Sequence, residues 1–205
     1  FLPQVRRMFL PIYHFYFALV LVLTRTTVDA FEGSLPHAGG GAFFHKHLTI
    51  LKAVARLQSP DGEVRGIVEF SQAFQSGAPT VINGIFKGLP DEDEFGLKIV
   101  EYGNMTNGCI SMGREFNPDG LGKRVDVHLP NHWVGTLGNV KNGKYENHHN
   151  HKVALFGRNS VIGRGIILYE NRDDGGEFST RESQLDGSVG RPVACGIIGR
   201  LGGNF

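Results

Sequence analysis

The sequence predicts an all-β domain, a sandwich or a barrel, and three observations carry that reading. From Leu51 onward apolar and polar residues alternate with a period of two, the pattern of strands with one buried face. The alternating runs are short and are separated by glycine-rich turns. No stretch shows a convincing helical period, so the apolar faces have to be buried by sheet packed on sheet or by a sheet closed on itself.

Residues 1–30 differ in composition from everything after them. Arg6 and Arg7 precede Met8, an apolar run extends from Ile12 to Leu23, and Val28, Asp29 and Ala30 end it in a small-residue cleavage pattern. The segment reads as a signal peptide, beginning at Phe1 or at Met8, and the mature chain is expected to be secreted, with no membrane association after cleavage. The apolar run is short for a bilayer span, and a buried or amphipathic helix is the alternative for it. Without this segment the 21 basic residues lose Arg6, Arg7 and Arg25 and the 20 acidic residues lose Asp29, leaving 18 against 19. That balance argues against a nucleic-acid partner. The remainder is one domain's length of chain, enough to bury a core.

Residues 31–49 contain Gly39, Gly40 and Gly41 together with His37, His45 and His47, show no sustained apolar period, and read as a flexible leader. The spaced pair His45 and His47 has metal-ligand chemistry. No cysteine or carboxylate stands beside it, so solvated loop histidines are the better account.

Residues 50–205 form the predicted β domain. Leu51, Ala53, Ala55 and Leu57 alternate with polar neighbours, Ser59-Pro60-Asp61-Gly62 has turn chemistry, and Val64, Gly66, Val68 and Phe70 alternate back as the second arm of a hairpin. Further strands are expected over Thr80 to Lys87, Leu97 to Tyr102, Gly138 to Val140 before an Asn142-Gly143 turn, Lys144 to Phe156, Gly165 to Glu170 and Val193 to Ile198. His148, His149 and His151 lie on the Lys144 to Phe156 strand as a candidate metal cluster. In an extended chain His149 and His151 share one face and His148 takes the other, so at most two converge without a bulge. Asn104-Met105-Thr106 is an N-glycosylation sequon on a loop expected to be exposed. Cys109 and Cys195 are the only cysteines.

Four stretches together carry a resemblance: Phe95 to Pro118 (FGLKIVEYGNMTNGCISMGREFNP), Val134 to Val140 (VGTLGNV), Val161 to Arg164 (VIGR) and Arg191 to Gly199 (RPVACGIIG). From Leu51 to Gly199 the chain resembles the copper/zinc superoxide dismutase family. The resemblance implies an eight-stranded Greek-key β-barrel with long loops. It also implies a disulfide between Cys109 and Cys195 that ties the long loop to the last strand, with two buried free thiols as the alternative.

The same resemblance places the family's metal ligands on residues that differ from them. The family strand His-Gly-Phe-His-Val-His-Glu-Phe-Gly-Asp matches Phe95 to Asn104, with Glu101, Tyr102 and Gly103 fixing the register. Lys98 and Val100 therefore stand at two copper histidines. Phe116-Asn117-Pro118 sets Glu115 at the metal-bridging histidine, VGTLGNV sets Trp133 at a zinc histidine and Thr136 at the zinc aspartate, and the last copper histidine falls on Tyr169. The remaining zinc histidine belongs near Lys123, but no histidine occurs between Asn117 and Val127. A lysine ammonium has no lone pair for a metal, and valine has no donor at all. The family's substrate-steering arginine falls on Pro192, with Arg191 one residue earlier and facing the other way in a strand. Asp173 matches the aspartate that bonds ligand histidines; without them it reads as an ordinary loop carboxylate.

These expectations favour a secreted, catalytically inactive family member, a binding or structural module with an unknown protein partner and no expected copper or zinc. Two alternatives remain: a copper/zinc superoxide dismutase with displaced ligands, drawn from His148 to His151 or from His128 and His132, and metal sequestration by the histidine clusters. The Gly196-Ile197-Ile198-Gly199 stretch keeps the character of the family's pairing face and makes a homodimer possible. Because the positions of Lys98 and Glu115 converge on one copper in the family, an ion pair between them is expected, with Tyr169 beside it and Trp133 in the neighbouring zinc space.

Overall fold

Inward-facing alternate residues organise the barrel in the computed structural model, which describes residues 48–122 and 124–202. The expected signal peptide, the expected leader up to residue 47 and the position of Lys123 lie outside the described residues. The strands are β1 (Ile50–Gln58), β2 (Arg65–Ala73), β3 (Thr80–Lys87), β4 (Glu94–Val100), β5 (Thr106–Cys109), β6 (Thr136–Lys141), β7 (Lys144–Asn150), β8 (Gly165–Tyr169), β9 (Pro192–Ile197) and β10 (Gly199–Arg200). Their order in the sheet is β10-β1-β2-β3-β7-β6-β4-β8-β9, and a further β1–β9 pairing at Gln58 and Cys195 closes it. Since β10 resumes β9 after Ile198, the closed antiparallel barrel has eight staves, with the crossing order of a Greek key.

The inner face is filled by Ala53, Ala55, Phe70, Ile82, Leu97, Ile99, Ile166 and Leu168 among others. Each fully buried large side chain contributes about 1.5–3 kcal/mol. The β6–β7 hairpin turns at Asn142 (φ 50°) and Gly143 (φ 67°), the two left-handed positions that a tight hairpin requires.

Four elements depart from the sequence expectation. The expected strand over Lys144 to Phe156 stops at Asn150, whose Oδ1 accepts the backbone N–H groups of Lys152 (3.0 Å) and Val153 (2.8 Å) and so turns the chain. Val153 and Leu155 still reach the core, from irregular backbone. Among the described residues one α-helix is present after all, α1 (Arg181–Asp186), capped by Thr180 Oγ1 accepting from Ser183 N–H and by Gly187 at φ 71°. Six residues are too few to display a period. β5 and a single 3₁₀ turn over Ile110–Met112 were likewise too short to read.

β4 positions the site. Leu97 and Ile99 face the barrel interior, whereas Lys98 and Val100 face outward and are nevertheless buried. They are covered by the β4–β6 connection and by the β8–β9 connection that carries α1. The Cys109–Cys195 disulfide, with Cα atoms 5.7 Å apart across 86 residues of chain, fastens the first connection to β9. Val100 packs beside it with Met112 and Ile167.

Candidate functional site

Backbone hydrogen bonds fix where the charged side chains lie. Phe116 N–H donates to Ile99 O (2.9 Å), Ile99 N–H to Gly135 O (2.9 Å) and Gly135 N–H to Phe116 O (2.8 Å), which lays Glu115 and Thr136 against the outer face of β4. A side chain at Gly135 would meet the Ile99 carbonyl and the Glu115 side chain, so the close approach depends on glycine there. On the other side, Asn139 grips the Asp173 backbone, its Oδ1 accepting from Asp173 N–H (2.7 Å) and its Nδ2 donating to Asp173 O (3.0 Å).

The structure brings Lys98 and Glu115 together, Nζ to Oε2 at 3.2 Å, but the pair is part of a larger network. Arg124 donates from Nε to Glu115 Oε2 (3.0 Å) and from one terminal nitrogen to Glu115 Oε1 (3.3 Å). Its guanidinium also forks onto Asp173, with Nη1 2.5 Å from Oδ1 and Nη2 on Oδ2. Lys98 Nζ lies 3.9 Å from Asp173 Oδ2 and donates to the carbonyl of Asp186 at the end of α1. Thr136 Oγ1 donates to Glu115 Oε1, and Tyr169 presents its ring 5.4 Å from the ammonium. The side chains of Lys98, Glu115, Arg124 and Asp173 are 2, 6, 0 and 2% exposed, so two cations and two anions neutralise each other away from water.

Burial alone would raise the Glu115 carboxyl. The Lys98 and Arg124 charges, with hydrogen bonds from Arg124 and Thr136, outweigh it and hold the group below its ordinary 4.5. Burial works against the Arg124 charge too, and Glu115 and Asp173 more than compensate, so the guanidinium binds its proton more tightly than a free arginine. Burial, reinforced by the negative charges of Glu115 and Asp186, keeps the Tyr169 phenol neutral well above its ordinary range.

One sequence reading changes here, and one residue of the site had none. Asp173 is not an ordinary loop carboxylate: it is the bidentate partner of a buried arginine. Arg124, the most deeply buried charge of the site, went unnoticed because it sits in the stretch where the family match is loose. Its one sequence signal was a basic residue beside the position of a lost zinc ligand.

The donors present do not suit copper or zinc. All four carboxylate oxygens of Glu115 and Asp173 face Arg124 donors, and Lys98 also donates to Glu115 Oε2. The Thr136 hydroxyl is spent on Glu115, and Val100 offers nothing. A divalent ion here would also meet the charges of Lys98 and Arg124 at short range in a water-poor site. Trp133 is half-buried with its Nε1–H unpartnered. His132 Nδ1 contacts Leu129 O at 2.6 Å; a carbonyl only accepts, so that nitrogen carries the proton and the buried Nε2 is a bare, unpartnered acceptor. One imidazole does not make a copper site.

The other candidates lie elsewhere. His148, His149 and His151 are exposed at the end of β7, His148 Nε2 standing 3.8 Å from Glu146, and no group of three potential metal ligands occurs among the described residues. Arg191 points into solvent against Glu170, and Pro192 is exposed at the start of β9. Asn104 is exposed, its Oδ1 accepting from the N–H (3.0 Å) and hydroxyl (2.8 Å) of Thr106.

Comparison with known proteins gives one family. The copper/zinc superoxide dismutase family model matches residues 64–198. Copper/zinc superoxide dismutase 5 of Dictyostelium discoideum is 37% identical over 139 residues, covering 66% of this chain and 90% of that protein. The Saccharomyces cerevisiae copper/zinc superoxide dismutase is 37% identical over 154 residues, covering 73% of this chain and 98% of its own. A crystal structure of the clock protein EA4 aligns with a TM-score of 0.65 and 33% identity, over 73% of this chain and 94% of that one.

Proposed function

This chain belongs to the copper/zinc superoxide dismutase family, and we propose that it is an exported, non-catalytic member of it, a binding or structural module that holds neither copper nor zinc at the family site. The observation that carries this reading is the neutral cluster of Lys98, Glu115, Arg124 and Asp173, which spends every carboxylate on a cation inside the protein. Dismutation needs a redox metal cycling between two oxidation states, and copper in such a site depends on imidazole donors oriented by further hydrogen bonds. Lys98, Glu115 and Tyr169 supply no imidazole. Export would also expose Asn104 to glycosylation, and enzymatic deglycosylation should then lower the apparent mass of the wild type and leave Asn104→Gln unchanged.

The test is a superoxide assay on untagged secreted protein after loading with copper and zinc. The expected rate is that of the buffer; fast turnover overturns the proposal. The second reading, a dismutase with displaced ligands, draws support from the names of the relatives and from the bare His132 Nε2. Under that reading the same assay gives turnover that His132→Gln abolishes.

A further inference from the structure

The outer face of β1, β2 and β3 carries a charge pattern that the barrel does not use. Register aligns Gln58, Arg65 and Lys87 in one row across the sheet and Arg56, Ile67, Ile85 and Lys144 in the next. All of these residues are exposed, Ile67 by 41% and Ile85 by 63%. With strands about 4.8 Å apart and same-face residues about 7 Å apart along a strand, four cations flank two aliphatic side chains on three sides in a patch about 15 Å across. A depression of about 620 Å³ is lined by Arg56, Arg65, Ile67, Ile85 and Lys87, and also by Glu69.

Among the described residues none of the four cations pairs with a carboxylate; Arg65 donates to the Gly62 carbonyl (2.8 Å). The acidic residues of this face, Glu69 and Glu146, fall in a third row with Asn83. Exposed isoleucines scattered singly need no explanation. Two adjacent ones with unpaired cations on three sides, against two carboxylates on the fourth, present an apolar seat in a net positive field.

We propose that this face docks an acidic segment of a partner protein, which seats an aliphatic or aromatic side chain on Ile67 and Ile85 and sets carboxylates against Arg56, Arg65 and Lys87. A sulfated glycan would neutralise the cations and leave both isoleucines wet. The proposal rests on the reading of the chain as a binding module and supplies the partner chemistry that reading lacks.

The probe is the peptide acetyl-Asp-Glu-Leu-Phe-Glu-Asp-amide, titrated into the isotope-labelled full chain at low salt and followed by amide chemical shifts. Saturable shifts confined to β1–β3, absent with the peptide carrying Asn and Gln in place of the acids, are expected. Affinity should fall at least about tenfold in the Arg65→Glu, Lys87→Glu double variant and in Ile85→Ser, whose altered positions are surface ones. An undispersed variant spectrum would be replaced by Arg56→Gln, for which the same direction is expected. No saturable shift overturns the proposal. So does an equal response to the neutral peptide, tighter binding of a heparin oligosaccharide insensitive to Ile85→Ser, or concentration-dependent self-association that buries the same residues. The superoxide assay above decides the non-catalytic reading separately, since this face includes no residue of the Lys98 site.

Discussion

Glu115 takes four of the contacts that define the site, from Lys98, from two nitrogens of Arg124 and from Thr136. Removing it leaves two buried cations to share one carboxylate, and Glu115→Ala is expected to destabilise the fold by about 3–5 kcal/mol in chemical denaturation. A double-mutant cycle between Glu115 and Arg124 should show clear coupling; additive losses would place the two outside one network. The pH dependence follows from the sign of the shift. Because the folded carboxyl lies below its ordinary 4.5, its stabilisation is fully present above that value and is lost as pH falls through the depressed folded value. Acid unfolding should therefore come at higher pH in wild type than the residual slope of Glu115→Gln predicts, and the two acid limbs should converge below the transition. Lys98 and Glu115 were legible as a pair because the family match put both at one metal. Arg124 and Asp173 were not: nothing in a local pattern separates a buried arginine from a solvated one, and the matched role of Asp173 concerned histidines that are absent.

At the scale of elements, the site joins three pieces of chain that sequence separates widely. β4 supplies Lys98, the β4–β6 connection supplies Glu115 and Arg124, and the β8–β9 connection supplies Asp173 and the α1 carbonyl of Asp186. Lys98→Met should consequently raise hydrogen exchange at α1 and its flanks more than in β6, because the ammonium's bond to Asp186 closes that helix onto the strand. Unchanged exchange at α1 would show that Gly187 and the Thr180 cap hold it alone. The disulfide secures the other end of the β4–β6 connection, and Cys195→Ser should cost about 2–5 kcal/mol in the chain-entropy account of an 86-residue separation. The expected strands from Leu51 to Lys87 were legible because alternation and turn chemistry agree there. The expected strand beyond Asn150 was not, because one side-chain oxygen capping two backbone amides ended it while the apolar pattern ran on.

For the whole molecule, charge pairs and a disulfide cross-link the barrel's loops, and the proposed function requires that no metal add to them. On that proposal the melting temperature should be the same after exhaustive chelation as after copper and zinc loading, since only a ligand that binds the native state adds to its stability. The all-β class was legible from its alternating strands and turn residues, and the closed eight-stave barrel from the family match; the internal neutrality of the site emerged only when distant charges met in space. The most direct measurement is the metal stoichiometry of untagged protein after copper and zinc loading and removal of loosely held ions. Well under one equivalent of copper per chain is predicted; near-stoichiometric, tightly held copper would contradict the account.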